Sequence, residues 1–81
     1  MNRDQVLNLV REHLAEELEV DIERITETTR FREDLDADSL DLYELVMELE
    51  DNYGVSVSEQ QASQITTVGD AVGFVVEHAP A

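Results

Sequence analysis

Wherever apolar residues gather in this sequence they recur three and four apart, and almost nowhere do they alternate with polar ones. Val6, Leu7, Val10, Leu14 and Leu18 form one stripe over residues 3–18, with Glu12, Glu16 and Glu17 on the other side. Leu42, Leu45, Val46, Leu49 and Tyr53 make a second stripe, and Val68, Ala71, Val72 and Val75 another near the C-terminus. A short helix is expected between them, from Ser58 to Gln64. Tyr53 to Ser58 is the only candidate strand, and it does not alternate long enough to force one. With 81 residues and no cysteine, the chain must stand on one apolar core without disulfides. Residues 1–81 are therefore expected to form a single all-α domain: a small four-helix bundle with a long first loop and a short third helix.

The ends of the helices can be placed from their polar residues. Asp38 suits an N-cap, and Asp41 three residues on completes a capping-box pattern, so the second helix should start at Asp38 or Ser39. Gly54 after Asn52 and Tyr53 is the expected C-terminal stop. Thr67 with Asp70 reads as a capping pair for the last helix, which Gly69 and Gly73 should weaken. The connection over residues 19–37 carries Val20, Ile22, Ile25, Phe31 and Leu35, so it should pack on the core.

Charge narrows the choice of partner. Twenty acids face five arginines, for a formal charge of -15. All five arginines fall within residues 1–32, while residues 33–81 hold twelve acids and neither Lys nor Arg. Such a surface argues against nucleic acid or an anionic membrane and favours basic partners. No apolar run follows Met1-Asn2-Arg3-Asp4-Gln5, so neither a signal peptide nor a membrane span is expected, and a cytoplasmic protein is.

Two familiar chemistries fail on the residues themselves. The stretch Asp34-Leu35-Asp36-Ala37-Asp38 begins like a calcium loop, but Ser39 stands where a glycine is needed and Leu45 where a bidentate Glu is needed. No dedicated metal site is expected, though loose binding of divalent cations at clustered acids stays open. Ser39 is not in a nucleophile elbow, and His13 and His78 read as boundary or surface residues, so no catalytic residue is expected and the chain should not be an enzyme.

The segment Phe31-Arg32-Glu33-Asp34-Leu35-Asp36-Ala37-Asp38-Ser39-Leu40-Asp41 resembles the acyl carrier proteins, whose signature is Asp-Ser-Leu at the start of the second of four helices. The resemblance runs on through Glu44-Leu45-Val46-Met47 to Ile65-Thr66-Thr67-Val68-Gly69-Asp70-Ala71-Val72. It implies that Ser39 carries 4′-phosphopantetheine, with Asp38 flanking it. An anion on Ser39 would lie at a helix start, where free backbone N–H groups and the dipole favour it. On its own residues, Ser39 reads first as a plain capping serine, the commoner role for Ser at a helix start.

Asp41, Glu44, Glu48 and Asp51 fall within about a quarter of the second helix's circumference, with Leu40 and Met47 beside them. Acids flanked by unburied apolar residues suit a docking face, and the resemblance implies basic docking patches on a phosphopantetheinyl transferase and on fatty acid synthesis enzymes. It also implies that an acyl chain slips between helices lined by Leu45, Val46, Leu49, Ile65, Ala71 and Val72, positions that would equally build a dry core. Three departures from the family pattern stand out: Asp36 where glycine is usual, Ser58 where proline is common, and a third helix, Glu59-Gln60-Gln61-Ala62-Ser63-Gln64, with little charge. The expected function is a monomeric acyl carrier of fatty acid synthesis. Alternatives are a carrier for polyketide assembly, or a small acidic interaction protein without a prosthetic group.

Overall fold

The computed structural model describes residues 2–79. Four helices follow in order: α1 (Arg3–Leu18), α2 (Ser39–Tyr53), α3 (Glu59–Gln64) and α4 (Val68–His78). A 3-10 turn, Ile22–Arg24, interrupts the long first loop. No strand forms among the described residues; Tyr53 to Ser58 leaves α2 and connects to α3.

Each helix begins where its polar residues say it should. Asp38 accepts from the Asp41 backbone while Asp41 returns the bond to Asp38, closing a full capping box on α2. Ser58 with Gln61 does the same for α3, which explains how that helix starts without proline. Thr67 with Asp70 caps α4. Gly54 ends α2 at φ 67, where an L side chain is strained. At the end of α4, His78 belongs to the helix and stacks on Phe74 with ring centroids 4.1 Å apart.

The helical stripes meet as expected. Val6, Val10 and Leu14 of α1 are buried with Val68, Ala71, Val72 and Val75 of α4, and α1 packs chiefly on α4. Leu45 and Leu49 of α2 join the same core. Within the first loop, Ile25, Phe31 and Leu35 are buried, but Ile22 stays exposed because it lies on the outer side of the 3-10 turn.

Backbone hydrogen bonds stitch that loop to the start of α4. Phe31 N donates to Thr66 O at 3.1 Å, Val68 N to Thr29 O at 2.9 Å, and Gly69 N to Glu27 O at 2.8 Å. Arg11 of α1 adds bonds to the carbonyls of Ile25 and Ile22. The glycine at position 69 is explained here. A Cβ on it would stand 2.9 Å from the Glu27 carbonyl oxygen, a backbone atom that is itself hydrogen-bonded. Gly69→Ala is expected to destabilise the fold by about 1–3 kcal/mol as an overpacking defect, outweighing a helix-propensity gain of at most about 1 kcal/mol. A melting curve checks this, and an unchanged or raised melting temperature would count against the close approach.

Candidate functional site

The turn before α2 is shaped by two backbone features. Ala37 N donates to Phe31 O at 2.9 Å, folding the acidic stretch back on itself. Asp36 takes the left-handed conformation at φ 55, the geometry for which glycine would be the easier residue. The result delivers Asp38 and Ser39 to the exposed start of α2.

Cap duty falls to Asp38, not to Ser39. Its carboxylate accepts from the Asp41 backbone at 2.9 Å, and that bond is the main reason its pKa lies below the ordinary range. The Ser39 hydroxyl is left outside the helix's own bonding. It accepts from Arg32 Nη2 at 3.0 Å across seven residues of sequence.

Beside Ser39 opens a cavity of about 460 Å³ between α2 and α3. Its apolar wall includes Leu45, Val46, Leu49, Ile65 and Ala71, five of the six residues expected to face inward there. Val72, the sixth, faces inward as well, but into the core rather than the cavity. It is 0% exposed and does not reach the cavity, because one residue turns about 100° round a helix and Ala71 already takes the side toward the cavity. Sequence reasoning missed Phe31, Arg32 and Ala62 as lining residues. The loop fold and the short α3 bring them there, and neither has a periodic signature.

On the outer side of α2, Leu40 and Tyr43 are 65% exposed and Met47 48%. Glu44 and Asp51 are exposed beside them, while Asp41 and Glu48 are half-buried. Asp41 is further occupied by accepting from the Asp38 backbone at 3.1 Å. The exposed charge of this face therefore rests on Asp51 and on Glu44, whose carboxylate also meets Glu17 of α1.

The carboxylates of the calcium-like stretch do not converge. Asp34 is paired with Arg30 at 3.3 Å and held below its ordinary pKa first by a bond from the Arg30 backbone. Asp38 caps α2. The acids that do come together are Glu17 of α1 with Asp41 and Glu44 of α2, whose oxygens lie within 4.8 Å of one another. Hydrogen bonding to Glu44 is the largest cause of a Glu17 pKa pushed up to about 7, followed by desolvation and the charges of Glu44, Asp41 and Asp38.

These shifts set a pH profile. A raised carboxyl pKa gives stability that is complete below the unfolded value of 4.5 and is lost as pH climbs through about 7. Asp34, Asp38 and Asp70 are shifted down, so their contribution is present above an unfolded value of 3.8 and is lost as pH falls. For Asp70, desolvation opposes the shift but bonds from Thr66 and Thr67 overcome it. The melting temperature is expected to peak at mildly acidic pH and to decline from about pH 5 to about pH 8. Glu17→Gln should flatten that decline. Thermal melts at fixed ionic strength check both, and a wild-type profile already flat over this range would show that the two helices do not crowd these acids.

Known proteins match this arrangement. Residues 8–75 fit the family described as "Phosphopantetheine attachment site". The acyl carrier protein of Rubrobacter xylanophilus is 49% identical over 78 residues, covering 96% of each chain. The chain belongs to the acyl carrier protein family. Another member, from Lactobacillus acidophilus, is 42% identical over 78 residues, covering 96% of this chain and 98% of that one. The solved structure of the acyl carrier protein from Enterococcus faecalis superimposes with a TM-score of 0.84 at 34% identity, over 98% of this chain and all of that one.

An acyl carrier protein must offer a hydroxyl for its phosphopantetheine, and the residues here fit that need. Ser58 and Ser63 also line the cavity, but Ser58 caps α3 and Ser63 Oγ donates to the Gln60 carbonyl at 2.7 Å. Only the Ser39 hydroxyl, among these three, has no role in holding a helix.

Proposed function

We propose that this chain carries acyl groups as thioesters on a 4′-phosphopantetheine arm attached through Ser39, and that it passes them between the enzymes of fatty acid synthesis. The observation that carries this reading is the placement of one uncommitted hydroxyl at the exposed start of α2, beside an apolar cavity. The arm supplies a thiol for thioester chemistry. The chain's own residues present Ser39 to a transferase, give the acyl group an apolar refuge, and offer a face for docking. Leu45, Val46, Leu49, Ile65 and Ala71 are assigned to the refuge.

Leu40, Glu44, Met47 and Asp51 are assigned to docking, with Tyr43 added and Asp41 and Glu48 in support. The proposed partners are a phosphopantetheinyl transferase and synthesis enzymes with basic patches, since the charge is -15 and residues 33–81 lack any cation. None of these steps needs a catalytic group on the chain itself. No helix among the described residues is long and apolar enough to cross a membrane; the proposed setting is a cytoplasmic monomer shuttling between enzymes.

The test is intact mass. Purified chain incubated with a phosphopantetheinyl transferase, coenzyme A and magnesium should gain the mass of one phosphopantetheine. The product should then accept a fatty acyl group and donate it to fatty acid synthesis enzymes. No gain, under conditions that fully modify a control carrier, would overturn the reading.

A further inference from the structure

The five arginines of this chain are not used alike. Arg3 pairs with Glu27, and Arg30 with Asp34. Arg11 donates to two loop carbonyls. Arg32 differs. Like Arg11 and Arg24 it forms no ion pair among the described residues, but its guanidinium alone meets a side-chain hydroxyl, that of Ser39 at 3.0 Å. It is also the last cation in the sequence. Asp36, Asp38 and Asp41 lie close in sequence to Ser39, so any anion placed there enters an acidic stretch that Arg32 already contacts.

We propose that Arg32 is a positioning residue for the prosthetic arm: its guanidinium holds the phosphodiester formed on Ser39 and draws the arm toward the cavity between α2 and α3. The proposal rests on Ser39 being the attachment point. A phosphodiester built on Ser39 Oγ places its free oxygens two bonds beyond an atom that Arg32 already reaches. The guanidinium fork suits two such oxygens, and charge-assisted bonds of this kind are about twice as strong as neutral ones. Direction follows from placement. Arg32 and Ser39 both line the cavity mouth. Of the docking residues, Leu40 and Glu44 lie outside it, while Tyr43 and Met47 stand on its border. A phosphate held by Arg32 therefore starts the arm on the cavity side, away from Leu40 and Glu44. Arg32 also lowers the pKa of Asp38 by its charge, the smallest of several causes, which is consistent with a guanidinium seated over this turn.

The phosphorus resonance of the modified protein reads this contact directly. Wild type, Arg32→Gln and Arg24→Gln are each converted by the transferase, and full modification is confirmed by intact mass. In wild type, the phosphodiester resonance should stand displaced from that of free pantetheine phosphodiester. In Arg32→Gln it should move most of the way back to the free position and sharpen. Arg24→Gln removes the same charge from the exposed 3-10 turn and should leave it unmoved. Arg32 is exposed, so its Gln variant should fold, which a circular dichroism spectrum checks. Complete modification with the same resonance in wild type and Arg32→Gln overturns the role of Arg32 and leaves Ser39 standing. Failure of wild type to gain mass overturns the attachment reading instead, so the two failures cannot be confused.

Discussion

Ser39→Ala is expected to abolish the mass gain with transferase and coenzyme A while leaving the melting temperature nearly unchanged. The first half follows from chemistry, because alanine has no oxygen to bear the phosphodiester. Neighbouring hydroxyls should not substitute, since Ser58 and Ser63 line the same cavity but are bound into the cap and backbone of α3. The second half follows from the division of labour at the start of α2. Asp38 makes the capping bond, and Ser39 contributes only its hydroxyl contact with Arg32. Alanine is a good helix former at such a position, so the stability change should stay within about 0.5 kcal/mol. Asp38→Ala is the complementary variant. It removes the cap and should lower the melting temperature while the hydroxyl remains. Intact mass and a thermal melt read all three proteins. Modification of Ser39→Ala would move the attachment point elsewhere, and a large loss of stability would mean that the serine is structural after all.

The sequence made α2 and α4 legible because each is written twice, once as an apolar stripe and once as a cap. α1 spans residues 3–18 as its stripe predicts, and Asp38, Ser58 and Thr67 each sit just outside the helix they cap. What periodicity cannot carry is the relation between a loop and a helix. Arg32 meets Ser39 only because the Phe31 carbonyl binds Ala37 and turns the acidic stretch back. Gly69 reads as a helix weakness until the Glu27 carbonyl is seen pressed against it. Val72, buried in the core rather than against the cavity, is set apart for a related reason. Inward-facing is one property on a helical wheel, but a wheel has no means of separating the side that faces a core from the side that faces a gap. Glu17 is the plainest case. On α1 alone it belongs to the polar side, and only the packing of α1 on α2 sets it against Glu44.

That last contact changes what a charge reversal on α2 should do. Glu44→Lys is expected to weaken binding to the transferase by roughly tenfold at low salt, since it inverts an exposed charge beside Leu40, Tyr43 and Met47. Loss of binding in such a variant is ordinarily open to the objection that the protein has unfolded. Here the opposite is expected. The ammonium would replace a carboxylate that crowds Glu17 and Asp41, so repulsion between α1 and α2 becomes attraction and the melting temperature should rise. The Glu17 carboxyl should also lose its elevated pKa, and the decline in stability from mildly acidic to mildly alkaline pH should fade. Glu12→Lys supplies the control, because it inverts the same charge on the exposed side of α1, away from the docking face. Its effect on binding should be much smaller. Raising the salt should narrow the gap between wild type and Glu44→Lys, because screening weakens the favourable pair in wild type. Titration of each variant against the transferase, with melts on the same samples, separates the possibilities. Equal losses for Glu12→Lys and Glu44→Lys would mean that the partner senses only net charge. A variant at position 44 that both binds weakly and melts early would mean that Glu44 supports the fold rather than the docking face.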